Sequence, residues 1–155
     1  MIEILAAMPQ RVRALVEGVC EAELSRKPAD DVFSLRENIL HLRDIDIEGY
    51  EKRIARILGE ERPFLADVDG ARLAAERDYN HQPLEPALRA FAESRARSMA
   101  RLAGADLDRV AVLEGVGEVT LRTLVERWAE HDAGHLADME ALLAGRVGRT
   151  TATAA

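Results

Sequence analysis

The feature that most constrains this chain is a set of four long segments in which apolar residues recur at steps of three and four. That spacing marks a helix with one apolar side. The first segment runs from Ile2 or Pro9 to Gly18, with Leu5, Met8, Val12, Leu15, Val16 and Val19 on one face. Pro9 stands either in its first turn or inside a longer helix that it bends. Glu21 to Lys27 predicts a short helix before the Pro28-Ala29-Asp30-Asp31 turn. The next long segment starts at Ser34 and stops at Gly59. Ser34 followed by Glu37 is a capping-box pattern, in which each side chain satisfies the other residue's free backbone N–H. The third segment covers Pro83 to Ala103, with Leu84, Leu88, Phe91, Met99 and Leu102 on one side. The fourth covers Thr120 to Ala144 and carries Leu121, Leu124, Val125, Trp128, Leu136, Met139, Leu142 and Leu143. Helices of about 20 to 25 residues would be roughly 30–37 Å long at 1.5 Å per residue. Four such helices hide their stripes against one another, which predicts an all-α four-helix bundle. Glu60 to Gln82 and Ala105 to Val119 read as long crossover connections, so the order need not be simple up-down-up-down.

A chain of 155 residues is the size of one domain and needs no staple to fold. Residues 1–145 are expected to form it, with 146–155 as a flexible tail that has nothing to bury. The net charge of −7 opposes direct nucleic-acid binding and docking on anionic lipid, both of which need a basic surface. No apolar run approaches the roughly 18 residues of a membrane span. No basic start followed by an apolar run marks a signal peptide. A soluble, cytoplasmic protein is the expectation. The single cysteine, Cys20, rules out an internal disulfide framework and, beside Val19 in helical pattern, reads as a small buried hydrophobe.

Two of the four histidines, His131 and His135, stand four apart near the end of the last helix. Residues four apart lie about 40° apart on a helix surface, so both rings leave the same face and can reach one metal ion. Both fall inside the apolar stripe, flanking Trp128 and Leu124, and are expected to point inward. A buried imidazole needs hydrogen-bond partners or a metal. Asp132 lies on the inward half as well. It is placed either to orient an imidazole or to pair with an arginine of another helix, such as Arg95. The His-x-x-x-His spacing matches metallopeptidases, but Asp132 stands where their glutamate base would be, which speaks against peptidase chemistry.

A third ligand must come from elsewhere, and His41 is the candidate. A helical wheel puts it away from the stripe of Leu35, Ile39, Leu42 and Gly49, on a flank with Glu37, Asp44 and Glu48. That flank reads either as a solvated polar face or as a polar cleft facing the histidine pair. Asp44 and Glu48, three and seven residues after His41, are the candidate catalytic carboxylates, able to orient an imidazole or take a proton. Asp138, three after His135, is a similar candidate on the last helix, but reads more readily as an ordinary surface carboxylate. His81, in the Arg77-Asp78-Tyr79-Asn80-His81 loop, is expected to be exposed. Arg77, Tyr79 and Asn80 are candidates for substrate contact at a cleft mouth.

Together these segments resemble the DinB-like (damage-inducible, YfiT-type) four-helix-bundle family. The resemblance rests on Ser34-Leu35-Arg36-Glu37-Asn38-Ile39-Leu40-His41-Leu42, on Glu114-Gly115-Val116-Gly117 leading into Thr120-Leu121-Arg122, and on Trp128 to Leu136. It spans the chain from the first helix to about Leu143. It implies a bundle whose three histidines, here His41, His131 and His135, bind a divalent metal with positions left for water or substrate. It also implies a link to stress response. Some members resemble S-transferases or isomerases of low-molecular-weight thiols such as bacillithiol, mycothiol or glutathione.

Three neutral imidazoles leave a 2+ charge uncompensated and a coordination position open, which lowers the pKa of a bound thiol or water. The first expectation is therefore a metal-dependent thiol S-transferase, with a small-molecule thiol and an electrophile as partners. The alternatives are a stress-linked metal-binding protein without catalysis and a metallohydrolase that activates water. Three imidazoles suit zinc, nickel, iron or copper, and affinity order alone does not select among them; zinc or nickel is the expectation. Bundles of this kind often pair, so a homodimer is a further expectation.

Overall fold

The computed structural model describes residues 1–145; the expected flexible tail lies outside them. Four long helical rods form the bundle. They are α1 (Ile2–Val16), α3 (Leu35–Asp44) continued through a π-helical stretch (Ile45–Tyr50) into α4 (Glu51–Gly59), α6 (Leu84–Leu102) and α7 (Leu121–Leu143). The short α2 spans Glu21–Leu24, shorter than expected. Pro9 lies inside α1.

The helix starts follow local chemistry. Ser34 Oγ accepts from the Glu37 N–H, and the Glu37 carboxylate accepts from the Ser34 N–H at 2.8 Å, completing the capping box. Thr120 caps α7 by accepting from the Thr123 N–H. A left-handed Gly104 follows the last turn of α6.

The two long connections are structured. The first carries β1 (Phe64–Leu65), the two-turn α5 (Gly70–Glu76) and a 3-10 turn (Tyr79–His81). The second is a hairpin of β2 (Val110–Leu113) and β3 (Gly117–Thr120) around Gly115 and Gly117, both with positive φ. β1 adds to β2 in parallel, giving a three-stranded sheet of order β1-β2-β3. Helical periodicity could not reveal these pieces. The strands are two to four residues long, too short to show a period of their own.

Beside a small cluster of Leu40, Tyr79 and Ala87, two larger apolar clusters fill the bundle. One gathers Leu5, Ile45, Tyr50, Ile54, Ile57, Trp128 and the inner face of the sheet; the other gathers Met8, Val12, Ile39, Leu42, Leu88, Phe91, Leu136 and Met139. Along α3, α6 and α7 the chain passes from one cluster to the other through a buried polar layer. That layer holds His41, Asp44, Asp46, Ser94, Arg95, Ser98, Asp132 and His135. Pro9 explains one of its bonds. Proline has no N–H to give the carbonyl four residues earlier, and Arg95 Nη1 donates to that carbonyl, Leu5 O, at 2.6 Å.

Cys20 is exposed, contrary to the expectation that it is buried. It caps the short α2 at the surface, after Gly18 with positive φ has ended the α1 stripe.

Candidate metal centre

His41 comes from α3, and His131 and His135 come from α7. The structure brings one ligand atom of each within 4.8 Å of the others. His41 Nε2 and His131 Nε2 are 3.2 Å apart. The ring centroids of His41 and His131 each lie 4.5 Å from that of His135. Two nitrogens at this separation, each about 2.0–2.1 Å from one ion, would subtend roughly 100°. That angle suits a tetrahedral or octahedral centre. His41 and His135 are buried, and His131 is the least enclosed of the three.

The environment favours neutral, ligand-competent imidazoles. Burial, followed by the neighbouring His131 ring, pushes His41 down to about 3, against the pull of Asp44. Burial and the other two rings hold His135 well below the usual histidine range. Asn38 fixes the His135 tautomer. Its Nδ2 donates to Ser34 O at 2.9 Å, so its Oδ1 faces His135 Nδ1 at 2.8 Å and must accept from it. The His135 Nε2 lone pair is then free for an ion. Asn38 has no charge and no periodic signature of its own; its i,i−3 relation to His41 was the only available clue.

His41 is not solvated. It is 1 % exposed, because α3 is covered on its polar flank as well as its apolar one. The Phe33 ring lies 5.5 Å from it. Gly70, the first residue of α5, is packed so closely that an added Cβ would sit 3.0 Å from His41 Nδ1 and closer still to Cε1. The wheel left this open because it assumes a single partner on a single side.

The other candidates are mostly tied to one another. Asp44 accepts from Arg43 Nε (2.7 Å), Arg77 Nη1 (2.7 Å) and the Tyr79 hydroxyl (2.6 Å). These donors hold its carboxyl below the usual range against the opposing effect of burial. Glu48 accepts from Lys52 (2.5 Å) and Arg77 (3.0 Å). These bonds lead both carboxylates to cations rather than to an imidazole. Asn80 bonds Ser25 O and accepts from Ser34 Oγ, anchoring the 3-10 turn. His81 is exposed and contacts Asp78 at 2.8 Å.

Asp132 is buried and its Oδ2 accepts from Arg95 Nη1 at 2.8 Å, the arginine partnership that the stripe suggested. Arg95 also binds Asp46 through Nε and Nη2, both at 2.9 Å, while Trp128 Nε1 donates to Asp46 Oδ1 at 3.0 Å. The guanidinium lies 4.3 Å from the Trp128 ring. Sequence reasoning missed Asp46, which lies in the π-helical stretch and, four after Leu42 and seven after Ile39, falls in the apolar stripe of its helix. Tyr50, at the end of that stretch, stacks on Trp128 at 4.7 Å.

With this geometry in place, comparison with known proteins gives three findings. The family model of the DinB superfamily matches residues 4–139. An Oceanobacillus iheyensis protein named as a candidate metal-dependent hydrolase is 25% identical over 141 residues, covering 89% of this chain and 80% of its own. YfiT from Bacillus subtilis, described as a candidate metal-dependent hydrolase with an unusual four-helix bundle topology, superposes with a TM-score of 0.84. The sequence identity with YfiT is 21%, covering 94% of this chain and 86% of YfiT.

Proposed function

Because the chain belongs to the DinB superfamily, we propose that it is a metal-dependent enzyme acting on a small molecule, with a divalent ion held by His41, His131 and His135. The carrying observation is the convergence of three buried or half-buried imidazole nitrogens within 4.8 Å. No carboxylate is among these ligands, so a bound ion would keep its full charge and act as a Lewis acid on a protic ligand. Zinc or nickel is the ion we propose, from a nitrogen set that also suits iron and copper.

Our first reading of the reaction is S-transfer from a low-molecular-weight thiol to an electrophile. A thiol's ordinary pKa of about 8.5 needs only a modest push to ionise at neutral pH. The site supports that reading because Asp44 and Glu48 are committed to arginine and lysine and are not needed as a base. We retain Asp44 in a different role. Through Arg77 it fastens the 77–81 turn beside α3. Hydrolysis is the second reading, favoured by the names of the Oceanobacillus and Bacillus relatives. All three imidazoles come from one chain, so neither reaction requires the expected homodimer. No helix among the described residues is long and apolar enough to cross a membrane; we further propose that the protein acts in the cytoplasm.

The test is elemental analysis of untagged protein, followed by turnover assays with an electrophile and a panel of small thiols, and with ester and amide substrates without thiol. Metal near one equivalent per chain with thiol consumption supports the first reading. Turnover without thiol supports the second. Metal without any turnover leaves a stress-linked binding protein. Absence of metal after loading refutes the proposal.

A further inference from the structure

The three imidazoles are supported unequally. His135 Nδ1 has Asn38, whereas His41 Nδ1 and His131 Nδ1 are buried without a hydrogen-bond partner. Asp132 Oδ1 is buried without one too, and it lies 3.8 Å from His131 Nδ1. That separation is about 1 Å longer than a charge-assisted hydrogen bond, so the bond forms only when the imidazole turns towards the carboxylate. The carboxylate is otherwise fixed. Its Oδ2 is held by Arg95, which is itself clamped by Asp46.

Proton bookkeeping gives the direction of the missing bond. His41 Nε2 and His131 Nε2 are 3.2 Å apart and converge on one position, so a ligating His131 Nε2 carries a lone pair and the ring proton sits on Nδ1. That Nδ1–H faces Asp132 Oδ1, the buried acceptor left without a partner beside it. The opposite tautomer would turn an Nδ1 lone pair towards the carboxylate.

We propose that Asp132 is the positioning residue for His131. Held by Arg95 through Oδ2, it accepts a hydrogen bond from His131 Nδ1–H through Oδ1 and so keeps the Nε2 lone pair aimed at the metal position. The proposal rests on the metal reading above and adds to it a support running from α6 through Arg95 to α7. The Arg95–Asp132 pair therefore has a role beyond cohesion of the bundle.

The test is Asp132→Asn. Arg95 Nη1 claims the amide oxygen, the NH2 group turns to His131 Nδ1, and that nitrogen must become an acceptor, moving the ring proton to Nε2. Zinc affinity, measured by chelator competition, should fall about 10- to 100-fold while the circular dichroism spectrum stays that of the wild type. Wild-type affinity in a folded variant overturns the proposal. Imidazole 15N spectra of the metal-free wild-type protein give a second reading that needs no variant to fold. His131 should be the Nδ1–H tautomer, with a slowly exchanging downfield ring proton; an Nε2–H tautomer overturns the proposal. A wild-type protein that takes up no zinc refutes the proposed function, yet the spectrum still decides whether Asp132 sets the ring.

Discussion

Gly70→Ala isolates the geometry of the centre from the stability of the bundle. Gly70 opens α5 behind the Asp69 cap, and its φ is not in the positive region, so alanine meets no backbone strain there. By helix propensity alone alanine would stabilise α5 by up to about 1 kcal/mol. The new Cβ, however, would stand 3.0 Å from His41 Nδ1, closer to Cε1, and 3.3 Å from Ile45 Cδ1. Ordinary carbon contacts need about 3.5–4.0 Å, so the His41 ring or α5 must move by roughly 1 Å. The ring is confined by Phe33 and by the 3.2 Å approach to His131. A metal–nitrogen bond tolerates displacement of only about 0.2 Å. We expect metal affinity to fall at least about 10- to 100-fold, equivalent to about 1.4–2.8 kcal/mol. Overpacking should cost the metal-free fold about 1–3 kcal/mol at most. The assay is thermal melting with zinc and with EDTA. The wild-type melt should shift on chelation, and the Gly70→Ala melt should shift far less. Gly134→Ala is the matched control, since a Cβ at Gly134, between the two α7 histidines, meets nothing within 4 Å. It should raise stability by about 0.5–1 kcal/mol and leave affinity alone. A Gly70→Ala protein with wild-type affinity would refute the close-packed placement of His41.

Further expectations follow from single contacts. His135→Ala should abolish stoichiometric metal by elemental analysis while the protein stays folded, since the site is not needed to fill either apolar cluster. Arg95→Met strands Asp46, Asp132 and the Leu5 carbonyl. It should cost about 3–5 kcal/mol in urea unfolding, as breaking a buried ion pair does, and a loss under about 1 kcal/mol would contradict the assigned cluster. Hydrogen bonds from Arg97, chiefly, and from Ser94 and Arg101 hold Glu51 at about 2, below its ordinary value. A carboxylate lowered on folding stabilises fully above about pH 4.5 and loses that contribution as pH falls towards 2. Glu51→Gln should therefore flatten stability between those values, and an unchanged acid profile would remove Glu51 from the account. Ser34→Ala should cost about 0.5–2 kcal/mol through loss of the α3 cap.

The four rods, their caps and the inward face of α7 were legible in the sequence because they depend on neighbours three and four residues away. Apolar spacing, Ser34 with Glu37, and Gly59 and Gly104 each act within one or two turns. The pairing of His131 with His135 belongs to the same class, as does the prospect of Arg95 meeting Asp132. Other parts were not legible. Asn38 looks like an ordinary polar residue of a helix, and Asp46, although it falls in the apolar stripe, carries no sign of its partner. The short strands and α5 carry too few residues for a period, and Cys20 lies where α1 has already ended.

What the sequence determined by itself is therefore the set of amphipathic helices and one face bearing two imidazoles. Periodicity left His41 open; the family resemblance implied it as the third ligand, and the tertiary structure brings its ring to the other two. Its flank of α3 looks polar at 100° per residue, and it becomes interior only because α5, through a glycine with no side chain, folds back over it. Tertiary structure also decided that Asp46 joins Arg95. At 100° per residue Asp46 falls between Leu35 and Ile39, inside the apolar stripe of its helix, so its inward side was readable but its arginine partner was not. Local periodicity records which side of a helix avoids water. It carries no information about how many partners that helix will have, and here the second partner of α3 makes the site.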